Sequence, residues 1–136
     1  MNPVIQKHPE GCALACAAIL AGKSYDEIDE IATRLEIFAG DKTLYNSTEP
    51  MRRLLAHLEL SVTSGEADFT DWAALPDQAL LATKWRLEDG LPHWHWVVFT
   101  RDEDRASILD PAAYLEQNRR TDFAHIEPKW FIGLIP

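Results

Sequence analysis

From Cys12 to Ala21 the chain is apolar at every position, CALACAAILA, with no polar face at any helical spacing. Such a stretch predicts a helix buried on all sides, ending at Gly22, a residue suited to a left-handed cap. The next pattern is different. SYDEIDEIATRLEI opens with a capping box, Ser24 followed three residues later by Glu27, and sets Ile28, Ile31, Ala32 and Leu35 at helical spacing. It predicts an amphipathic helix with its acidic face in water. FAGDKTLYNSTEP is turn-rich, a connection long enough to serve as a flap over a cleft. TEPMRRLLAHLEL predicts a third helix, with Pro50 accommodated in its first turn.

Beyond residue 60 the period changes. LSVTSG, QALLATKW, HWHWVVFT, ASILD and KWFIGLI are short, β-branched or aromatic, and separated by Gly, Pro or acidic turns. Helices first and strands second predict an α+β fold, with N-terminal helices packed on an antiparallel sheet. In HWHWVVFT, Trp94 and Trp96 alternate with the histidines, so they face away from them and belong to the core. Trp72, Trp85 and Trp130 are packing residues by the same strand logic, with a groove lining as the other use of such rings.

The 136 residues suit one domain, 1–136, without repeats or a linker that would divide it. No apolar run approaches a membrane span, and the first residues, MNPVIQKHPEG, carry no export signal, so the expectation is a mature cytoplasmic chain without membrane insertion. A net charge of −9 argues against a nucleic-acid or anionic-membrane partner, so none is expected, and it favours basic or neutral peptides as ligands. In that compartment the two cysteines are expected as thiols rather than a disulfide.

Those cysteines differ in their expected surroundings. Cys12 stands at the start of the first helix, after Pro9 and Gly11, where the helix field and a neighbouring imidazolium favour a thiolate. Cys16 lies one turn inside the apolar body and is expected to be a small core residue. If the turn RDEDR closes symmetrically about Asp102 and Glu103, Phe99 faces Ala106, Val97 faces Ile108 and His95 faces Asp110. A carboxylate beside an imidazole fixes its tautomer and stabilises its charged form. Gln6, six residues before Cys12, offers a side-chain amide that could join backbone N–H groups at the helix start in holding an oxyanion.

Gln6 followed by Cys12-Ala13-Leu14-Ala15-Cys16, then His95-Trp96-Val97-Val98 and Asp110-Pro111, resembles the papain-like peptidases that process bacteriocin leaders, domains commonly joined to peptide-exporting ABC transporters. The resemblance spans essentially the whole chain. It implies a papain-like cysteine peptidase fold in stand-alone form. In it Cys12 is the nucleophile, His95 the general base and acid, Asp110 the orienting carboxylate and Gln6 the oxyanion donor. The implied substrate is a peptide or protein, and no cofactor is implied. Two positions depart from the family pattern: Ala13 replaces the glycine usual after the nucleophile, and Gly11 the acidic residue usual before it.

Other readings of the same residues remain open at this level. The triad could serve a deamidase, a transglutaminase-type acyl transferase or a toxin, and the groove could belong to a non-enzymatic peptide-binding module. Cys12, Cys16, His93 and His95 could also form a Cys₂His₂ zinc site, which leaves Gln6 and Asp110 idle.

Overall fold

The computed structural model describes residues 1–38, 40–41 and 43–136 and, for Tyr45, the backbone alone. The apolar helix α1 runs Cys12–Ala21 and ends at Gly22, whose φ of 67° lets the N–H groups after the helix turn back on Ala18 and Ile19 carbonyls. Every residue from Cys12 to Ile19 is buried, as an all-apolar helix requires. Helix α2, Tyr25–Arg34, starts with both halves of the Ser24–Glu27 capping box in place and buries Tyr25, Ile28 and Ala32. Helix α4, Glu49–His57, carries Pro50 in its first turn.

Between them the turn-rich segment contains one helical turn, α3, Thr43–Asn46. Leu44 is fully buried there, and its carbonyl accepts the Trp96 Nε1–H at 2.8 Å. Around α3, then, the segment is anchored to the sheet. Ala39 and Lys42, which also belong to the stretch read as a flap, lie outside the described residues.

The sheet is antiparallel, with strands β1 (Ala67–Asp68), β2 (Gln78–Glu88), β3 (Leu91–Asp102), β4 (Arg105–Leu109), β5 (Arg119–Arg120) and β6 (Pro128–Gly133) in the order β1-β6-β2-β3-β4-β5. The expected α+β arrangement of helices on an antiparallel sheet is therefore present. LSVTSG does not form a strand; it leaves a single bridge, Val62 to Leu134, because Gly65 turns the chain away with φ 68°. Asp89 and Gly90 close the β2–β3 hairpin with φ 52° and 79°, the left-handed pair a two-residue turn needs.

Each face of the sheet is covered. Leu80, Ala82, Trp94, Trp96, Val98, Leu109 and Ile132 meet the helices, while Ala79, Leu81, Val97, Phe99 and Ile108 meet Leu75, Trp72, Phe123 and Ile126 on the other side. Trp94, Trp96 and Trp130 form an edge-to-face cluster with centroids 4.9–5.7 Å apart, as core rings do. Trp72 belongs to the second core, and only Trp85 is exposed.

One register expectation is corrected. The β3–β4 turn is Glu103-Asp104, with Glu103 at φ 56°, so Phe99 pairs with Ile108, Val98 with Leu109 and Thr100 with Ser107. This sets both Phe99 and Val98 against large apolar partners, where the register centred on Asp102 and Glu103 would set them against Ala106 and Ser107. The shift is two residues, so every side chain keeps its face. His95 and Asp110 thus share a face as expected but are diagonal neighbours rather than opposed.

No helix among the described residues is long and apolar enough to cross a membrane.

Candidate active site

Pairing between β3 and β4 begins at Val98, so the stretch of β3 that carries His95 has β2 along one edge and no β4 along the other. The first turn of α1 and His95 meet at one cleft. Cys12, the first residue of α1, lines the same cleft as His95 and is near enough to raise the pKa of its imidazole, and its own residue is 5% exposed. No side chain caps α1, and none of its first-turn residues is acidic, so the helix presents free N–H groups and the positive end of its dipole at the thiol.

His95 Nε2 lies 2.7 Å from Oδ1 of Asp110. With Nε2 engaged there, Nδ1 is the nitrogen left for Cys12. Thr83 Oγ1 donates to the His95 carbonyl at 3.0 Å and fixes the backbone on the β2 side. Burial by itself lowers the His95 pKa. The hydrogen bond to Asp110, then Cys12 and the charge of Asp110, more than offset it and raise the imidazole from 6.5 to about 9. The ring is accordingly an imidazolium at neutral pH when it faces a thiolate.

Asp110 is 1% exposed and fully engaged. Oδ1 also accepts the Ala112 N–H at 3.1 Å, and Oδ2 accepts Arg120 Nη1 at 2.9 Å. Burial pushes this carboxyl up, but the bond and charge of His95, the Ala112 N–H and Arg120 hold it below its ordinary value. Arg120 is held in turn by Asp122 through two contacts of 2.9 and 2.7 Å. Asn118 Nδ2 donates to the carbonyls of Asp110 and Ala112, at 2.7 and 2.9 Å, and pins the turn that presents the carboxylate. The Asp-Pro turn and the partnership with His95 therefore coexist in one residue.

The structure brings Cys12 and His95 to one cleft, with Asp110 bonded to the histidine. Gln6 sits on the same cleft, and its backbone N–H donates to the Pro111 carbonyl at 2.9 Å, tying the N-terminal segment to the aspartate turn. Its side chain is differently employed from the sequence expectation. Nε2 donates to the carbonyls of His8 and Pro9, at 3.1 and 2.9 Å, so its hydrogens close the turn ahead of Cys12.

The cleft has a volume of about 630 Å³ and is bounded by Gln6, Glu10, Cys12, Lys84, His95 and Tyr114, with Trp94 and Arg86 beside them. Ala13 is absent from that lining and fully buried, so its methyl group faces core rather than cleft. Gly11 has a steric cause: a Cβ there would run into the Tyr25 hydroxyl, which is 2.7 Å from His8 Nδ1.

Cys16 is wholly buried, and burial pushes its thiol well up, with the charges of Cys12 and Asp110 adding to the rise. His93 lies 3.6 Å from Glu88. Among the described residues no three His, Cys, Asp or Glu side chains are grouped so as to hold a metal ion, and the four zinc ligands weighed from sequence are not assembled. Arg120, Asn118 and Lys84 were not singled out in the sequence. Their local signal is slight, one arginine of an Arg119-Arg120 pair, a loop asparagine and a strand lysine.

Compared with known proteins, the chain matches no protein-family model, and no curated protein sequence is significantly similar to it.

Proposed function

We propose that this protein is a papain-like cysteine peptidase or amidase that cleaves a peptide or amide bond through Cys12, His95 and Asp110. The observation that carries this reading is a helix-terminal thiol sharing an open cleft with an imidazole that is bonded to a buried, arginine-held carboxylate. A histidine serving only the fold would not need both a carboxylate on one nitrogen and a thiol in the cleft it faces.

In this mechanism the Cys12 thiolate attacks the carbonyl carbon, and a C–S bond forms as the C=O π pair moves to oxygen. The N–H groups at the start of α1, that of Cys12 first, receive the oxyanion. Gln6 contributes a further donor only by releasing one of its two carbonyl partners. As the C–N bond breaks, imidazolium His95 gives its proton to the leaving nitrogen. Water then attacks the thioester while His95 takes its proton, and the carboxylic acid product leaves with Cys12 restored. Asp110 stays ionised throughout and keeps the ring turned toward the thiol.

The test is alkylation of each cysteine by iodoacetamide against pH, resolved by peptide mass spectrometry, alongside hydrolysis of a mixed peptide pool. Cys12 reacts fast at neutral pH and slows by about two orders of magnitude in His95→Ala. Cys12→Ala and His95→Ala abolish hydrolysis, while Cys16→Ser retains it at a cost in stability. A Cys12 as inert as Cys16, or hydrolysis that survives Cys12→Ala, overturns the reading.

A further inference from the structure

The wall of the cleft opposite α1 contains an irregularity. Between the pairs Thr83–His95 and Arg86–His93, β2 carries one residue more than β3, a β-bulge immediately beside the strand position of His95. Lys84 stands in that bulge with φ 53°, a conformation that L side chains rarely adopt, and its side chain lines the cleft. Its ammonium hydrogen-bonds the Tyr114 hydroxyl and lies 5.1 Å from the centre of that ring, so it spans from β2 to the segment after Asp110-Pro111.

The charges of the cleft are unequally compensated. Arg86 is paired with Glu88 at 2.7 Å. Lys84 meets a neutral phenol and, among the described residues, no carboxylate. Glu10, two residues before Cys12, is the anion on the helix side. The bulge thus aims a positive charge, without an ionic partner among the described residues, into the space next to His95. The net charge of −9 acts on encounter at long range and is screened by salt, whereas Lys84 acts at contact.

We propose that Lys84 is a specificity-determining residue that selects substrates bearing a carboxylate beside the bond attacked by Cys12. The carboxylate is an acidic side chain or a free peptide C-terminus, and it displaces the Tyr114 hydroxyl from the ammonium. This inference rests on Cys12 being the reactive thiol.

Iodoacetate and iodoacetamide, one anionic and one neutral, test it on the same sulfur. The expected ratio of their Cys12 alkylation rates falls about five-fold in Lys84→Gln, the effect of removing one charge at close range in a partly hydrated cleft, and Lys84→Arg keeps it. Glu10→Gln moves the ratio the other way. Fast alkylation with a ratio indifferent to Lys84→Gln overturns the selectivity alone. A Cys12 inert to both reagents overturns the thiol reading and this inference together. The two sources of carboxylate are separated by protection of Cys12 with N-acetyl-glutamate amide or with N-acetyl-glutamine. Lys84-dependent protection by the first identifies an acidic side chain, and by the second a C-terminus. Protection by neither, or protection that survives Lys84→Gln, counts against the proposal.

Discussion

Arg120 reaches from β5 to place Nη1 2.9 Å from Oδ2 of Asp110, the carboxylate oxygen that His95 does not use. The aspartate therefore sits between two cationic groups, and its charge is balanced even though it is 1% exposed. Removing either cation leaves a buried carboxylate short of a partner, which is costlier than the bond itself is worth.

Arg120→Gln accordingly costs about 2 kcal/mol of stability at neutral pH, the typical loss when a charged hydrogen bond to a buried group is broken. The Asp110 carboxyl is held below 3.8. Its ionic contribution is present above that value and is lost as pH falls through the depressed one. Urea denaturation of both proteins from pH 7 to pH 2 should show the gap closing at the acid end. A gap that is constant with pH would mean Arg120 acts through packing and through Asp122 instead.

His95 titrates in the opposite sense. Its folded pKa, about 9, lies above the ordinary 6.5, so the imidazolium's contribution to stability is complete below 6.5 and is lost as pH rises through about 9. Imidazole resonances followed by NMR should give that midpoint in the intact protein. Asp110 and Cys12 both raise it, so Asp110→Asn and Cys12→Ala each lower the midpoint. The same midpoint sets the alkaline limb of any hydrolysis that uses His95 as acid. An unchanged midpoint in Asp110→Asn is incompatible with the His95–Asp110 bond described above.

Gly11 and Tyr25 are coupled by lack of space. A Cβ on Gly11 collides with the Tyr25 hydroxyl and comes within 3.1 Å of both Tyr25 Cζ and the His8 carbonyl. Gly11→Ala is expected to destabilise by about 2 kcal/mol through overpacking. In a Tyr25→Phe background the cost drops, because the atom met first is gone. A thermodynamic cycle over the four proteins reads that coupling directly. Additive losses would place the strain elsewhere.

The helices could be read because their signals are local: an unbroken apolar run stopped by Gly22, and a capping box at Ser24 and Glu27. The face shared by His95 and Asp110 was also legible, since parity along strands depends only on counting residues. Their diagonal offset was not. It follows from matching Val98 to Leu109 and Phe99 to Ile108, a choice made by side-chain volume across the sheet rather than by the turn sequence. Arg120 and Asn118 escaped for a related reason, as their value arises only once β5 is laid against β4. Gln6 shows the reverse: its position was legible, but the direction of its amide depends on the His8 and Pro9 carbonyls. The glycine at 11 became intelligible only through α2, whose Tyr25 fills the place of a side chain.

The open flank of β3 has a consequence for how the molecule fails. Cys12 belongs to the helical layer and His95 to the sheet, and neither hydrogen-bonded ladder nor helix geometry holds them together. Their proximity persists only while side-chain packing between the layers is native. Loosening that packing separates the pair before circular dichroism registers any lost helix or strand. The thiol is thus an internal gauge of tertiary order, and its chemistry should vanish at the first softening of the interior.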